Sequence, residues 1–293
     1  MYRRHVWLFV GIMAVPSVLA LASAVVLQTF QWRMRPASGP PVTPEAAVPV
    51  LLGFMAAAMI SALAYMVVYT IALGATTVAV SEIYVGRSAT VMSAYARVRR
   101  DVGRLLLLFL LVLLRLAGVS VAGGVAMIFF GVMLAFITPV LTALMSVIGM
   151  VFIFVGCAYL MLRYSLAVPA LVLEGLSAGA SIKRSVELVH GATWRVLLLC
   201  VCAVIVAYAG AALLQGPFFL AAMAAGFESS SGFWLQMAGA VAGTIGQAFT
   251  SPIMIVGLVL QYYDSRMRDE ALDIDLMLAA LGPATVPQGA PGA

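Results

Sequence analysis

Six long runs without a charged residue dominate this sequence: 6–32, 50–81, 105–114, 116–162, 196–227 and 229–263. A helix needs about 20 apolar residues to cross the hydrocarbon core of a bilayer. The chain is 64% hydrophobic and 9% charged, with a mean hydropathy of +1.12. A soluble domain has about 45–50% apolar and about 25% charged residues. The composition therefore excludes a soluble globular fold and indicates an integral membrane protein.

The run 116–162 is too long for one span, and Thr138-Pro139 is its natural break because proline cannot continue a helix from the preceding turn. We predict an all-α, polytopic helix bundle in a single transmembrane domain over residues 1–282. The proline-rich loop 35–49 is expected to be irregular, and the Pro/Gly/Ala-rich tail 283–293 to be disordered. The predicted spans are about 6–30, 50–80, 105–137, 139–163, 196–224 and 234–262.

The distribution of basic residues orients the spans. The positive-inside rule places Lys- and Arg-rich connections in the cytoplasm, which predicts that both termini are cytoplasmic. Arg3-Arg4 followed by Ala22-Ser23-Ala24 also fits a cleaved signal peptide, but the apolar run continues to Phe30, which favours a retained span. Thirteen of the sixteen Lys and Arg residues fall on the predicted cytoplasmic side: Arg3, Arg4, Arg87, Arg97, Arg99, Arg100, Arg104, Arg163, Lys183, Arg184, Arg195, Arg266 and Arg268.

Two cytoplasmic connections have the pattern of amphipathic helices and align at an offset of 91 residues. We expect both helices to lie in the headgroup plane or to seal the cytoplasmic end of the bundle. A parallel internal repeat and a chance similarity both fit this alignment. The first helix has Ser88 as its expected N-cap and apolar Val91, Tyr95, Val98 and Val102; the second has Ile182, Val186 and Val189, with Gly191 at its end.

The sequence contains no pattern of catalytic or metal-binding residues. No Asp or Glu lies within a predicted span, and His5 and His190 are far apart in sequence. Cys200 and Cys202 would point to opposite sides of a helix, so they predict neither a disulfide nor a metal site. We therefore expect no enzymatic activity, no cofactor and no bound metal, with a hydrolase at the cytoplasmic rim as the alternative.

Arg115 is the one charge within a predicted span. Such a charge costs about 3 kcal/mol or more and marks a functional candidate. With the span centred near Val121, Arg115 lies about 9 Å to the cytoplasmic side of the midplane. We expect its side chain to snorkel to the interface or to a lipid phosphate, with a role in transport as the alternative.

Two glutamines in the last two spans are further candidates for contact with a lipid or solute. Gln215 precedes Pro217, and Gln247 precedes Pro252. Broken helices line substrate sites in transporters, whereas proline kinks are the ordinary alternative. Gly239, Gly243 and Gly246 form one small-residue face that predicts close helix packing.

Two segments at the predicted cytoplasmic edge combine aromatic, proline and charged positions at fixed spacing. The first carries Arg163, Pro169, Glu174, Arg184 and Arg195, and the second carries Tyr262, Tyr263, Asp264, Arg266, Arg268 and Glu270. Together they resemble the membrane-domain family named after glycerophosphoryl diester phosphodiesterases, over roughly residues 50–275. We expect an ion pair to join the first segment to the second, with two independent solvated charge sets as the alternative.

The resemblance implies a multi-pass protein of the bacterial inner membrane without the hydrolytic domain, which is a separate soluble barrel in the name-giving members. We interpret the chain as a non-enzymatic accessory or lipid-interacting membrane module. The expected partners are membrane lipids, anionic on the cytoplasmic face, and the basic residues form no groove suited to nucleic acid. The alternative is a transporter of a small or amphiphilic solute through the last two spans.

Overall fold

The computed structural model describes residues 5–33, 44–135, 138–227 and 229–270, which form nine helices and no strand. Six segments are long and apolar enough to cross a membrane, which confirms the predicted all-α bundle of six spans. The long helices are α1 (Val6–Arg33), α2 (Pro44–Tyr84), α4 (Val102–Ala135), α5 (Pro139–Arg163), α8 (Thr193–Ala225) and α9 (Ser230–Glu270). The short helices are α3 (Val91–Val98), α6 (Ala167–Glu174) and α7 (Ala178–His190).

The break predicted at Thr138-Pro139 is confirmed. Helix α5 begins at Pro139, where a proline needs no N–H partner. Thr138 is its N-cap, and the hydroxyl of this residue accepts a hydrogen bond from the Leu141 amide at 3.4 Å. The threonine therefore caps the start of the next span.

One expectation is wrong. Helix α2 begins at Pro44, so the last part of the loop predicted at 35–49 is helical, because Pro44 occupies the first helical position, where proline is tolerated. Helix α9 continues beyond the predicted span end at 262 to Glu270, since Arg, Met and Glu favour a helix about as much as Leu. The predicted disordered tail 283–293 lies outside the described residues.

Helices α3 and α7 each bury one face and expose the other, as their amphipathic patterns predict. The N-cap of α3 is Thr90 instead of the predicted Ser88, because Thr90 and Ser93 form a reciprocal capping box. Helix α7 ends before Gly191, as predicted, and its N-cap is Ser177. The sequence interpretation missed α6, which ends at Glu174 and is followed by Gly175 with a left-handed φ of 67°. Whether α3 and α7 lie at a membrane interface stays a prediction.

We call one end of the bundle the basic end. It holds the three short helices, the beginnings of α1, α4 and α8, and the ends of α2, α5 and α9. Helix α3 is fixed there by the Tyr95 hydroxyl, which donates a hydrogen bond to the Ile12 carbonyl of α1 at 2.8 Å. Burial raises the pKa of Tyr95 to about 12, so this donor stays protonated at physiological pH.

Glycines set the closest helix contacts in the apolar part of the bundle. A Cβ built on Gly239 would lie 3.2 Å from Phe218 of α8, and one on Gly246 would lie 3.1 Å from Leu214. The small-residue face of α9 is therefore a packing surface, as predicted. In the α4–α5 pair, a Cβ on Gly123 would lie 2.5 Å from the Ile153 Cγ1, so this contact requires glycine.

The α4–α5 contact generates a direct prediction. Gly123→Ala should lower the melting temperature of the purified protein, because the added methyl group overlaps Ile153 and forces the helices apart. Gly124→Ala is the matched control, since nothing lies within 4 Å of its added Cβ and alanine favours the helix. Equal melting temperatures for the two variants in detergent would contradict the observed packing.

Candidate functional site

A partly buried glutamate joins three helices at the basic end. The Glu174 Oε1 of α6 lies 3.3 Å from the Arg184 Nε of α7 and 3.8 Å from the Arg266 Nε of α9. The hydroxyl of Tyr262 also donates a hydrogen bond to this oxygen. The Glu174–Arg266 contact confirms the predicted ion pair between the two motif segments.

The other charged residues of these segments have separate partners. The Arg195 Nη1 lies 3.6 Å from the Asp264 Oδ2, and the Arg268 Nε lies 3.1 Å from the Asp264 Oδ1. Arg163 is not part of this network, because its guanidinium stacks 5.2 Å from the centre of the Tyr159 ring. The side chain of Glu270 lies outside the part of the chain that the structure describes.

A second buried glutamate was not singled out from the sequence. Glu82 of α2 is 7% exposed, and its Oε1 lies 2.8 Å from the Arg97 Nη1 of α3. The preceding Ser81 Oγ accepts a hydrogen bond from the Tyr263 hydroxyl at 3.0 Å. The consecutive residues Tyr262 and Tyr263 of α9 thus contact two glutamate-bearing segments. The sequence pattern that could have identified Glu82 is a glutamate near the end of a predicted span, followed by a glycine and then by an amphipathic helix that carries arginine.

A polar cavity of about 680 Å³ lies between these two glutamate-bearing segments. Its walls come from the ends of α2 and α6, from α3 and from the turn before α4. The lining combines Arg97, Arg100, Asp101 and Ser81 with the apolar Val78 and Val172. The guanidinium and hydroxyl groups suit an anionic ligand, and the Asp101 carboxylate is paired with the Arg104 Nη1 at 3.2 Å.

An apolar cavity of about 540 Å³ lies deeper in the bundle, among α2, α4, α5, α6, α8 and α9. Its lining is almost entirely aliphatic and aromatic. Phe154 and Met161 of α5 and Val201 and Ile205 of α8 line it and are also exposed on the outer surface. The cavity therefore opens sideways between α5 and α8, where the bilayer surrounds a membrane-spanning bundle.

Arg115 extends from α4 to the basic end of the neighbouring helix. Its Nη1 donates a hydrogen bond to the Tyr164 hydroxyl at 3.3 Å, and its guanidinium carbon lies 5.4 Å from the centre of that ring. Tyr164 directly follows the last residue of α5 and also lines the apolar cavity. This is the direction that snorkelling requires, while the predicted lipid contact of Arg115 stays a prediction.

The two candidate glutamines do not meet in one site. A Cβ on Gly243 would lie 2.7 Å from the Gln215 Oε1, so this amide lies along the α8–α9 contact. Gln247 is exposed, beside Tyr65 of α2. Helices α8 and α9 run without interruption through Pro217 and Pro252, and neither glutamine lines the polar or the apolar cavity.

Among the described residues, no group of three His, Cys, Asp or Glu side chains is placed to hold a metal ion. The bundle of candidate spans defines a polytopic integral membrane protein. Residues 132–277, about half of the chain, match the family described as the membrane domain of glycerophosphoryl diester phosphodiesterase. This confirms the resemblance stated from the motifs. No curated protein and no solved structure matches the chain.

The match contains one of the two glutamate-bearing segments and most of the apolar cavity. Glu174, Tyr262 and Arg266 lie within it, whereas Glu82 and Arg100 precede it. The polar cavity is therefore built partly from the region before the matched one. The resemblance expected from residue 50 onward is matched only from residue 132.

The Glu174–Arg266 pair gives a second prediction. Both side chains are largely buried, so a double-mutant cycle with Glu174→Gln and Arg266→Gln should give a coupling energy of about 1 kcal/mol or more. The Lys183–Glu187 pair, 83% and 53% exposed at 4.0 Å, is the matched control, for which about 0–0.5 kcal/mol is expected. The free energies of unfolding of the variants in detergent give the coupling energy of each pair. Equal coupling in the two cycles would show that the glutamate does not fix α9.

Proposed function

We propose that this protein is a non-enzymatic, lipid-binding membrane module. The observation that supports it is the apolar cavity, which lies among the membrane-spanning helices and opens between α5 and α8. Its volume of about 540 Å³ falls within the range of about 300–1,000 Å³ for small-molecule sites. Its walls offer almost no polar group to a water-soluble ligand.

The occupant that fits this cavity is the acyl chain of a membrane lipid. Contact between a hydrocarbon chain and apolar walls such as Leu108, Phe154 and Val201 is favourable. A polar solute in the same cavity would lose its hydrogen bonds to water and find no partners to replace them. The lateral opening lets a chain enter from the bilayer without crossing the polar end. Lipid is also the most abundant apolar molecule around such a bundle.

A non-enzymatic role agrees with the family match, which is to the membrane domain of a phosphodiesterase. The carboxylates of Glu82 and Glu174 are each held by an arginine. A rim hydrolase would need carboxylates presented to an open pocket, with one of them available as a general base. Asp101, which lines the polar cavity, is likewise paired, with the Arg104 Nη1 at 3.2 Å. The ion pairs support a structural role for both glutamates.

A transporter is the second candidate. It would need a water-accessible cavity near Gln247 or Arg115. Neither residue lines the polar or the apolar cavity, and Arg115 donates a hydrogen bond to Tyr164. Gln215 lies against Gly243 at a tight helix contact. Lipid binding is therefore the stronger proposal.

We further propose that the protein lies in a bacterial inner membrane with its basic end in the cytoplasm, because the Lys and Arg residues collect there. Reporter fusions at Gly282 should then behave as cytoplasmic, and fusions in the loop 35–43 as periplasmic. An active alkaline phosphatase fused at Gly282 would contradict this orientation, since that enzyme requires the oxidising periplasm.

Filling the apolar cavity tests the lipid proposal. Ala158→Phe places a ring in the cavity and should lower the fraction of purified protein that retains lipid, measured by native mass spectrometry, several-fold. Ala212→Phe adds the same ring at an exposed site of α8 that does not line the cavity, so its lipid retention should equal the wild type. Equal lipid retention by the two variants would contradict the proposal.

A further inference from the structure

We propose that the polar cavity binds the phosphate group of the lipid whose acyl chain occupies the apolar cavity. The protein would then select phosphate-headed amphiphiles over neutral lipids. This inference rests on the proposed lipid-binding function and assigns the headgroup chemistry to Arg97, Arg100 and Ser81.

The two cavities follow each other along the same faces of three helices. Asp101, which lines the polar cavity, directly precedes α4. The helical spacing that starts there continues along α4 through three residues of the apolar cavity, Leu105, Leu108 and Val112. The seven residues from Asp101 to Leu108 correspond to about 10 Å along the helix axis. This is the short separation that an amphiphile needs between its headgroup and the first part of its chain.

Helices α2 and α6 repeat this order. On α2, Thr70 lines the apolar cavity and Ser81 the polar one; eleven residues make three turns, so both lie on one face. On α6, Val168 lines the apolar cavity and Val172, one turn further, lines the polar one. The polar cavity is nearer to the basic end on α2 and α4, so the head-to-tail direction is the same on these two helices.

Two groups in the polar cavity are available to a phosphate. Arg100 makes no ion pair with any carboxylate in the described part of the chain. The Ser81 Oγ accepts a hydrogen bond from Tyr263, which leaves its own hydrogen to donate to a ligand. A guanidinium forms charge-assisted, often bidentate hydrogen bonds with phosphate oxygens, and a hydroxyl adds a further donor.

Arg97 is fixed at the wall of the same cavity by a buried partner. The Glu82 Oε1 holds its Nη1 at 2.8 Å, while the Glu82 Oε2 has no hydrogen-bond partner among the described residues. A carboxylate that is 93% removed from solvent is costly without its cation. Glu82 therefore holds Arg97 in place, and the outer nitrogen atoms of the guanidinium, with 58% of the side chain exposed, remain for a ligand.

The experiment compares two lipids with identical acyl chains, phosphatidylglycerol and diacylglycerol, in competition for the full chain. Native mass spectrometry measures the ratio of the two bound species. The wild type should prefer phosphatidylglycerol. Arg100→Gln and Ser81→Ala should each lower this preference. The expected loss for the arginine is about tenfold, which corresponds to about 1.4 kcal/mol, close to the lower bound for a hydrogen bond to a charged group.

Arg99→Gln is the matched control, because Arg99 is the exposed neighbour of Arg100 and does not line the cavity. It should keep the wild-type preference. Equal binding of the two lipids by the wild type, or equal preference in Arg100→Gln and Arg99→Gln, would overturn the proposal. Removal of Arg97 is avoided, because it would leave Glu82 buried without its cation.

The Ala158→Phe variant and inorganic phosphate separate this inference from the proposed function. Both cavities have the proposed roles if two results are found together. Ala158→Phe loses both lipids but still binds inorganic phosphate, and Arg100→Gln abolishes the binding of inorganic phosphate. If Ala158→Phe retains phosphatidylglycerol and only Arg100→Gln loses it, the acyl site is wrong and the phosphate site stands. If inorganic phosphate binds alone and phosphatidylglycerol does not compete with it, the ligand is a soluble phosphate and the lipid assignment is overturned.

Discussion

The exclusion of charge from hydrocarbon is the constraint on which this structure depends. A bilayer core cannot solvate an unpaired ion, so most of the ionisable side chains that the structure describes collect at the basic end of the bundle. Glu82 and Glu174 are each held there by an arginine from an amphipathic helix. Arg115 follows the same rule, since its side chain reaches the hydroxyl at the end of α5.

The two glutamate-bearing segments are built alike. Each has a glutamate near the end of a helix, then a glycine with positive φ, Gly86 or Gly175, then a short helix with a Ser or Thr N-cap. The arginine of that helix returns to the glutamate. Tyr262 and Tyr263 contact the two segments from α9, so the last span joins both halves of the basic end. The spacing differs from the offset of 91 residues in the sequence alignment, since Arg97 and Arg184 are 87 residues apart, so the internal repeat stays a prediction. The polar cavity lies between the two segments.

The spans could be predicted from the sequence because each depends on local composition. The break at Pro139 and the stop at Gly191 are likewise single-residue effects. The burial of Glu82 could not be predicted, since it depends on α3 folding back onto α2. Helix α6 was missed because its apolar residues extend the previous span without a polar signal. Both cavities depend on how several helices pack, and no short sequence pattern encodes such a gap.

The most direct test of the central claim, that the bundle holds a phosphate-headed lipid, is a cryo-electron microscopy map of the full chain in lipid nanodiscs containing phosphatidylglycerol. Our account predicts tubular density in the apolar cavity between α5 and α8, continuing to a headgroup peak beside Arg100 and Ser81. A map in which side chains close the apolar cavity, with lipid only around the outside of the bundle, would contradict it.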